Sequence, residues 1–205
     1  MPHADGHDFG PWAPLRAREA HLLFSGAPFR WWVTGGYALE LHLGTSWRDH
    51  GDFDIGIRRQ DADSVYRWLS DWDVHVAAEG RLTPWRGQPL FAERNHNNLW
   101  CRPNDDAAWR LDIAVGAGTD QRWMYRRDER VSRPWEDTIL WTAERVPYLA
   151  PELQLLFKSK GVRDKDDLDA RHAIPRLDQA RRRSLAKLLP HHHPWQQLLS
   201  HPDLN

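Results

Sequence analysis

The sequence has a single cysteine, Cys101, which excludes both a disulfide framework and a cysteine-based zinc site and points to a reducing, cytoplasmic setting. It also lacks any excess of charge, with 28 Lys and Arg against 29 Asp and Glu for a formal net charge of −1. Proteins that live on duplex nucleic acid normally carry a clear basic surplus, so that class is disfavoured, although a local basic patch leaves tRNA open as a partner. Apolar runs stay well short of the roughly 20 residues that span a bilayer, so no membrane partner is expected. The start, MPHADGHDFGPWAPL, lacks the basic-then-apolar order of a secretory signal. What remains is a 205-residue chain that is 40% hydrophobic, enough to bury the core of one main domain with a small appendage.

The chain reads as α+β first and helical later. Residues 1–12 form a loose lead-in, followed by a first helix over 15–24 and a turn at Gly26 and Pro28. Phe29 to Thr34 reads as a strand, Gly35-Gly36 as its stop, and Tyr37 to Leu43 as a helix ended by Gly44. After a polar loop, Asp52 to Ile57 forms a second strand, and 61–71 a helix capped by Asp61. Further strands are predicted over 74–78, 97–102 and 109–115, a turn-rich loop over 81–89, and a strand pair within 122–131. From Pro147 to Gly161 the pattern is helical, then 164–173, then 177–189, with one more helical turn in the tail after His191. These features divide the chain into an α+β part, 1–148, and a helical segment, 149–205.

The chemistry gathers around Trp31 to Ile57. On a strand, residues two apart point the same way, so Asp52 and Asp54 are expected side by side with Phe53 on the opposite face. Two parallel carboxylates repel unless a cation lies between them, and Mg²⁺ favours such oxygen ligands together with substrate phosphates. Asp112 lies in WRLDIAV between Leu111 and Ile113, where an Asp is costly to bury unless paired or metal-bound. Brought beside the first two, it completes a three-carboxylate cluster of the kind that holds two Mg²⁺ about 3.5–4 Å apart for in-line phosphoryl displacement. Gly35-Gly36, after a strand and before a helix, allows a close backbone approach to phosphate.

The order Gly-Gly-Tyr-Ala-Leu, then Arg48-x-His50-x-Asp52-x-Asp54-Ile55, then a later strand Asp, resembles the DNA polymerase β-type nucleotidyltransferase superfamily. Within it, the chain is similar to the small aminoglycoside and lincosamide nucleotidyltransferases. The run YLAPELQLLFKSKGVRDKDDLDA resembles the helical part of the same group. The resemblance covers about 29–57 and 109–190. It implies a mixed sheet flanked by helices with a C-terminal helical segment. It implies that Gly35 and Gly36 touch nucleotide phosphates, that Asp52 and Asp54 hold Mg²⁺, and that Asp112 completes the metal site or serves as the general base. Arg48 and His50 would steady the triphosphate or the carboxylate strand, and Lys158, Lys160 or Lys165 would reach the β- and γ-phosphates. The implied reaction moves a nucleoside monophosphate from ATP or another NTP to a hydroxyl of a small molecule, releasing pyrophosphate, with antibiotic resistance as one possible consequence.

Each assignment has a structural alternative. The glycines could be a plain turn, the Asp pair a solvated strand edge, Arg48 a surface cation and His50 a structural hydrogen-bonder. Lys158 and Lys160, two apart on one helix, would not both face the site. Trp85, Trp100, Trp123 and Tyr125 could stack a base or line an acceptor pocket, with core packing the better expectation. Glu93, Asp105 and Asp106 could attract a cationic acceptor or be loop carboxylates, and the His191-His192-His193 run is expected to carry no function. The Arg-rich stretches 122–133 and 176–183 motivate a rival reading as a toxin-type nucleotidyltransferase acting on tRNA or protein. A non-catalytic nucleotide-binding relative is the other rival.

Overall fold

The computed structural model describes residues 9–200. In chain order the elements are α1 (Ala17–Leu23), β1 (Trp31–Val33), α2 (Gly35–Leu43), β2 (Asp54–Arg58), α3 (Ala62–Trp68), β3 (Asp73–Ala78), β4 (Arg81–Pro84), β5 (Asn98–Arg102) and β6 (Leu111–Gly118). There follow β7 (Arg122–Met124), β8 (Ser132–Pro134), β9 (Ile139–Trp141), β10 (Pro147–Leu149), α4 (Pro151–Lys158), α5 (Asp164–Ala173), α6 (Gln179–Leu188) and α7 (Gln196–Ser200). The sheet runs β4-β3-β5-β6-β2-β1-β10-β9, with β7 on β6 and β8 on β7. Two neighbouring pairs, β2 with β6 and β1 with β10, are parallel and the rest antiparallel, so the sheet is mixed.

Strand alternation decides the two faces. Val33, Ile55, Ile57, Leu111, Ile113 and Val115 are buried together with Ala20, Phe24, Val65 and Leu69 of α1, α3 and their flanks. Full burial of each such aliphatic side chain contributes about 1.5–3 kcal/mol, which fixes the register of β2 and β6. The even-numbered residues, Asp54, Gly56, Asp112, Ala114 and Gly116, are therefore turned to the other face. There the helices after residue 150 share a second core with α2 and β1, built from Trp32, Leu39, Leu149, Leu153, Ile174 and Leu185.

Several expectations shift. Asp52 is not on the strand: β2 begins at Asp54, and Asp52 sits in the bend before it. Gly35 and Gly36 do not break the chain but form the first residues of α2, which ends as expected at Gly44 (φ 67°). The expected helix over 147–161 is a strand and then a helix. Pro147–Leu149 pair with β1 and β9, and α4 starts only at Pro151, a residue suited to a first helical position because it has no N–H to satisfy. An unbroken apolar run cannot by itself tell a buried strand from a buried helix.

Residues 81–84 form edge strand β4 rather than a loop, joined to β3 through Glu79 and Gly80, both at positive φ. Asp61 stands at the N-cap position of α3 as expected, but its carboxylate makes no capping bond and instead takes Arg58 Nε and Nη2 at 2.6 and 2.7 Å. The strand pair expected within 122–131 is β7 and β8, reaching Pro134. Part of the lead-in is ordered, since Trp12 bridges to Trp109; residues 1–8 and the end of the tail, 201–205, lie outside the described residues. Among the described residues no helix is long and apolar enough to cross a membrane.

Candidate functional site

Asp54 and Asp112 are direct partners across the parallel β2–β6 pair. The surrounding backbone holds them there: Thr34 N–H donates to Asp54 O at 3.0 Å, and Asp112 N–H donates to Phe53 O at 2.9 Å. Asp112 accepts from Asn98 Nδ2 at 2.8 Å on one oxygen and from Trp100 Nε1 at 3.1 Å on the other. Both donors come from β5, where Trp100 is the register partner of Asp112 and Asn98 lies two residues away on the same face. Trp100 thus positions a carboxylate rather than stacking a base. The signal for it was available in the alternation Asn-x-Trp.

Among the described residues no cation lies within ion-pair distance of Asp52, Asp54 or Asp112. Burial, then Asp112, then Asp52 push the Asp54 carboxyl well above the usual range, with Lys158 and Lys165 opposing. Burial pushes Asp112 up to about 7, aided by the charge of Asp52 and opposed by the Asn98 and Trp100 hydrogen bonds and by Arg126. Such displaced carboxyls beside a cavity mark a functional site more often than a structural one.

Gly35 is the residue that lets α2 approach this pair. Its φ is +70°, and a Cβ there would lie 2.0 Å from Asp54 Oδ2. A Cβ on Gly36 would meet Arg48 Nη2 at 2.2 Å and His50 Cε1 at 2.3 Å. Gly36 is therefore buried beneath those side chains, and the Gly35 N–H already donates to Gln154 Oε1 at 3.0 Å, as Thr34 Oγ1 does at 2.6 Å. Both glycines thus have a packing role, with Gln154 of α4 at the helix start; sequence reading missed Gln154 inside an apolar helix.

Arg48, His50 and Lys158 are likewise held by the protein itself. Arg48 donates to both oxygens of Asp169, at 2.8 and 2.9 Å, and Lys158 Nζ lies 2.9 Å from both Asp166 and Asp169. His50 stacks on Tyr37, with Nε2 3.0 Å from Glu40 Oε1; the nitrogen counts as unpartnered, so this is a close contact without aligned hydrogen-bond geometry. Although burial works against its charge, Arg48, Lys158 and Trp47 hold Asp169 down at about 2.

A cavity of about 430 Å³ opens beside Asp54. Arg126, Arg127, Lys158, Lys160 and Arg163 border one half of it; Trp32, Gly56, Ala114, Gly116, Trp123 and Met124 border the other. Both lysines line it, contrary to expectation, because α4 ends at Lys158 and Lys160 lies in the following turn. Lys165 is near enough to act on Asp54, and Arg126, which sequence reading did not single out, acts on Asp112. A second cavity of about 260 Å³ is bordered by Phe9, residues 77–82, Asn98, Trp100 and Asp112. Asn98 borders both, so the carboxylate pair stands in the wall between them.

The remaining candidates lie elsewhere. Trp85, Trp123 and Tyr125 are core residues, though Trp123 also borders the larger cavity. Glu93, Asp105 and Asp106 are exposed and border neither cavity. His193 contacts Ser159 O at 3.0 Å and Trp195, a structural role.

No curated protein matches the chain by sequence. Among solved structures, it is similar to the lincosamide antibiotic adenylyltransferase LnuA in its lincomycin-bound form, with 19% identity, TM-score 0.51, and 77% of this chain and 95% of that one covered. It is also similar to ANT(2")-Ia in complex with adenylyl-2"-tobramycin, with 12% identity, TM-score 0.52, and coverage of 84% and 93%. At these identities the likeness establishes the nucleotidyltransferase fold. The family model for aminoglycoside-2''-adenylyltransferase matches residues 18–172, and the chain accordingly belongs to that family and is a nucleotidyltransferase.

Proposed function

We propose that the protein transfers the nucleoside monophosphate of a Mg²⁺-bound NTP, ATP in the first instance, to a hydroxyl of a small antibiotic-like molecule of the aminoglycoside or lincosamide kind. The observation that carries this reading is the position of the carboxylate pair: Asp54 borders the cation-rimmed cavity, and Asp112, its register partner, borders the second one. The NTP occupies the first cavity, its triphosphate against Lys160, Lys165 and Arg126. The acceptor enters the second, over the β3–β4 hairpin. Asp112 takes the proton from the acceptor hydroxyl, whose oxygen forms the new bond to the α-phosphorus as the bond to pyrophosphate breaks. Catalysis is then chiefly positioning and neutralisation of charge.

The residues suit a divalent cation. Asp54 and Asp112 are register partners, both displaced upward chiefly by burial and by neighbouring carboxylates, Asp112 and Asp52 acting on Asp54 and Asp52 on Asp112, and without a cationic partner among the described residues. Among those residues no three acidic, His or Cys side chains form a ready-made cage. That fits Mg²⁺, which binds through one or two carboxylates plus substrate phosphates. Asp54 and Asp112 would hold it, with Asp52 adding its charge and, on a shift of its bend, a third ligand. When bound, the ion supplies charge neutralisation at the reacting phosphate. The test is incubation with Mg²⁺, each NTP in turn, and a panel of aminoglycosides, lincosamides and tRNA. Mass spectrometry should find the added nucleotide mass on a small molecule. Its appearance only on tRNA or on a protein would overturn the acceptor assignment, and its absence throughout the reaction itself.

A further inference from the structure

The apolar half of the larger cavity contains one polar group that the fold leaves unanswered. Trp32, on β1, is the register partner of Gly56 on β2, and its indole leans across the sheet. A Cβ at Gly56 would lie 2.2 Å from Trp32 Nε1, and one at Gly116 would lie 3.7 Å from the far edge of the ring. The ring therefore occupies the space that a side chain at Gly56 would fill, with its N–H edge over that glycine, and only touches the place of a side chain at Gly116. Trp32 is 3% exposed, and its Nε1 has no hydrogen-bond partner among the described residues. The unpartnered nitrogens sealed from solvent there are those of His21, His50 and His75; Trp32 Nε1 is not among them and keeps some exposure, and it lies against Gly56, which borders the larger cavity. A nearly buried donor without an acceptor is unfavourable, and native proteins usually answer it.

The location suits a nucleobase. Asp54 and Gly56 lie two residues apart on one face, about 6–7 Å along the strand. With the phosphates at the carboxylate end and the cationic rim, the nucleoside extends along the sheet beside the Trp32 indole, over Ala114 and Gly116. Small residues leave room for a flat ring there, while Trp123 and Met124 wall it. Indole nitrogen is a donor only, so it selects an acceptor atom.

We propose that the Trp32 indole N–H reads the nucleobase, donating to a ring nitrogen of a purine bound in the apolar half, and that Gly56 is glycine so that the indole can lie there. This makes Trp32 a specificity determinant and rests on the nucleotidyl-transfer reading above. Calorimetric titration with α,β-methylene-ATP and Mg²⁺ tests it without needing the acceptor. Trp32→Phe keeps an aromatic ring and removes the donor, so Kd should weaken about 5- to 15-fold, as expected for one buried hydrogen bond. In the unaltered protein, one of 1-deaza-, 3-deaza- and 7-deaza-ATP should lose a similar factor relative to ATP, and Trp32→Phe should no longer distinguish the two. A folded Trp32→Phe variant with unchanged Kd overturns the proposal. So does equal binding of ATP and all three deaza analogues by the unaltered protein, a result that stands even if the variant fails to fold. Either outcome leaves nucleotidyl transfer intact, whereas an unaltered protein that binds no NTP and labels no acceptor overturns both.

Discussion

Two clusters of charge lie close together in this molecule and answer to opposite rules. Around Asp169, every buried charge has a partner: Arg48 and Lys158 both lie within 2.9 Å of its oxygens, Trp47 Nε1 donates at 2.9 Å, and Lys158 also holds Asp166. Around Asp54 and Asp112, two carboxylates face each other across adjacent strands, with amide and indole donors on Asp112 but no cation in contact among the described residues. The first cluster fastens α5 to the 45–51 loop and to α4. The second holds negative charge that the protein does not neutralise and that a ligand can. A buried charge therefore does not by itself mark a site; an uncompensated one beside a cavity does.

Substitutions should separate the two most sharply through activity. Asp112→Asn keeps the shape and the chance to accept from Asn98 or Trp100 but removes the base, so kcat should fall about 100- to 10,000-fold. Denaturant unfolding of the same variant in EDTA at neutral pH should show equal or greater stability, since a repelling charge is gone. A destabilised Asp112→Asn variant would erase the distinction. The opposite is expected of Asp169→Ala, which strands Arg48 and Lys158: about 3–5 kcal/mol of unfolding free energy should be lost, read from the shift in denaturation midpoint.

pH should draw the same line more gently. Asp112 has its pKa raised to about 7, so the metal-free folded state binds its proton more tightly than the unfolded chain does. Stability from this group is fully present below the unfolded value near 4 and is lost as pH rises through about 7. Asp169 is lowered to about 2, so its contribution is present above pH 4 and lost as pH falls toward 2. Thermal melts of metal-free protein should therefore decline between pH 4 and 7, and Asp112→Asn should flatten that decline while leaving the acid limb below pH 4. The smallest effect is Mg²⁺ itself. At tenfold above its Kd it should stabilise the unaltered protein by about 1.4 kcal/mol and leave Asp54→Asn unmoved in the same melts.

Much of the architecture followed from local pattern. Gly44 ended α2, alternation marked β5 and β6, and the apolar flanks of Asp112 signalled a carboxylate that needed a reason to be there. The misreadings occurred where local pattern is degenerate, as in Pro147–Leu149, whose strand character exists only because β1 and β9 lie on either side. The basic residues were the least legible. Arg48, Lys158 and Lys160 look alike in sequence, yet Asp169 and Asp166, more than a hundred residues from Arg48, decide that the first two are held in ion pairs and that Lys160 is not paired with them.

By itself, the sequence determined the residue types and their order: a Gly-Gly start, Asp54, a later Asp112 and helices to follow. That was enough for the family, because spacing along a chain records the local geometry of strands and turns. Only the tertiary structure decided that Asp54 and Asp112 meet in register, that each borders its own cavity, and that the Gly-Gly pair serves close packing against Asp54, Arg48 and His50. Charge compensation and cavity shape depend on residues far apart in sequence, and no local pattern encodes which cation reaches which carboxylate.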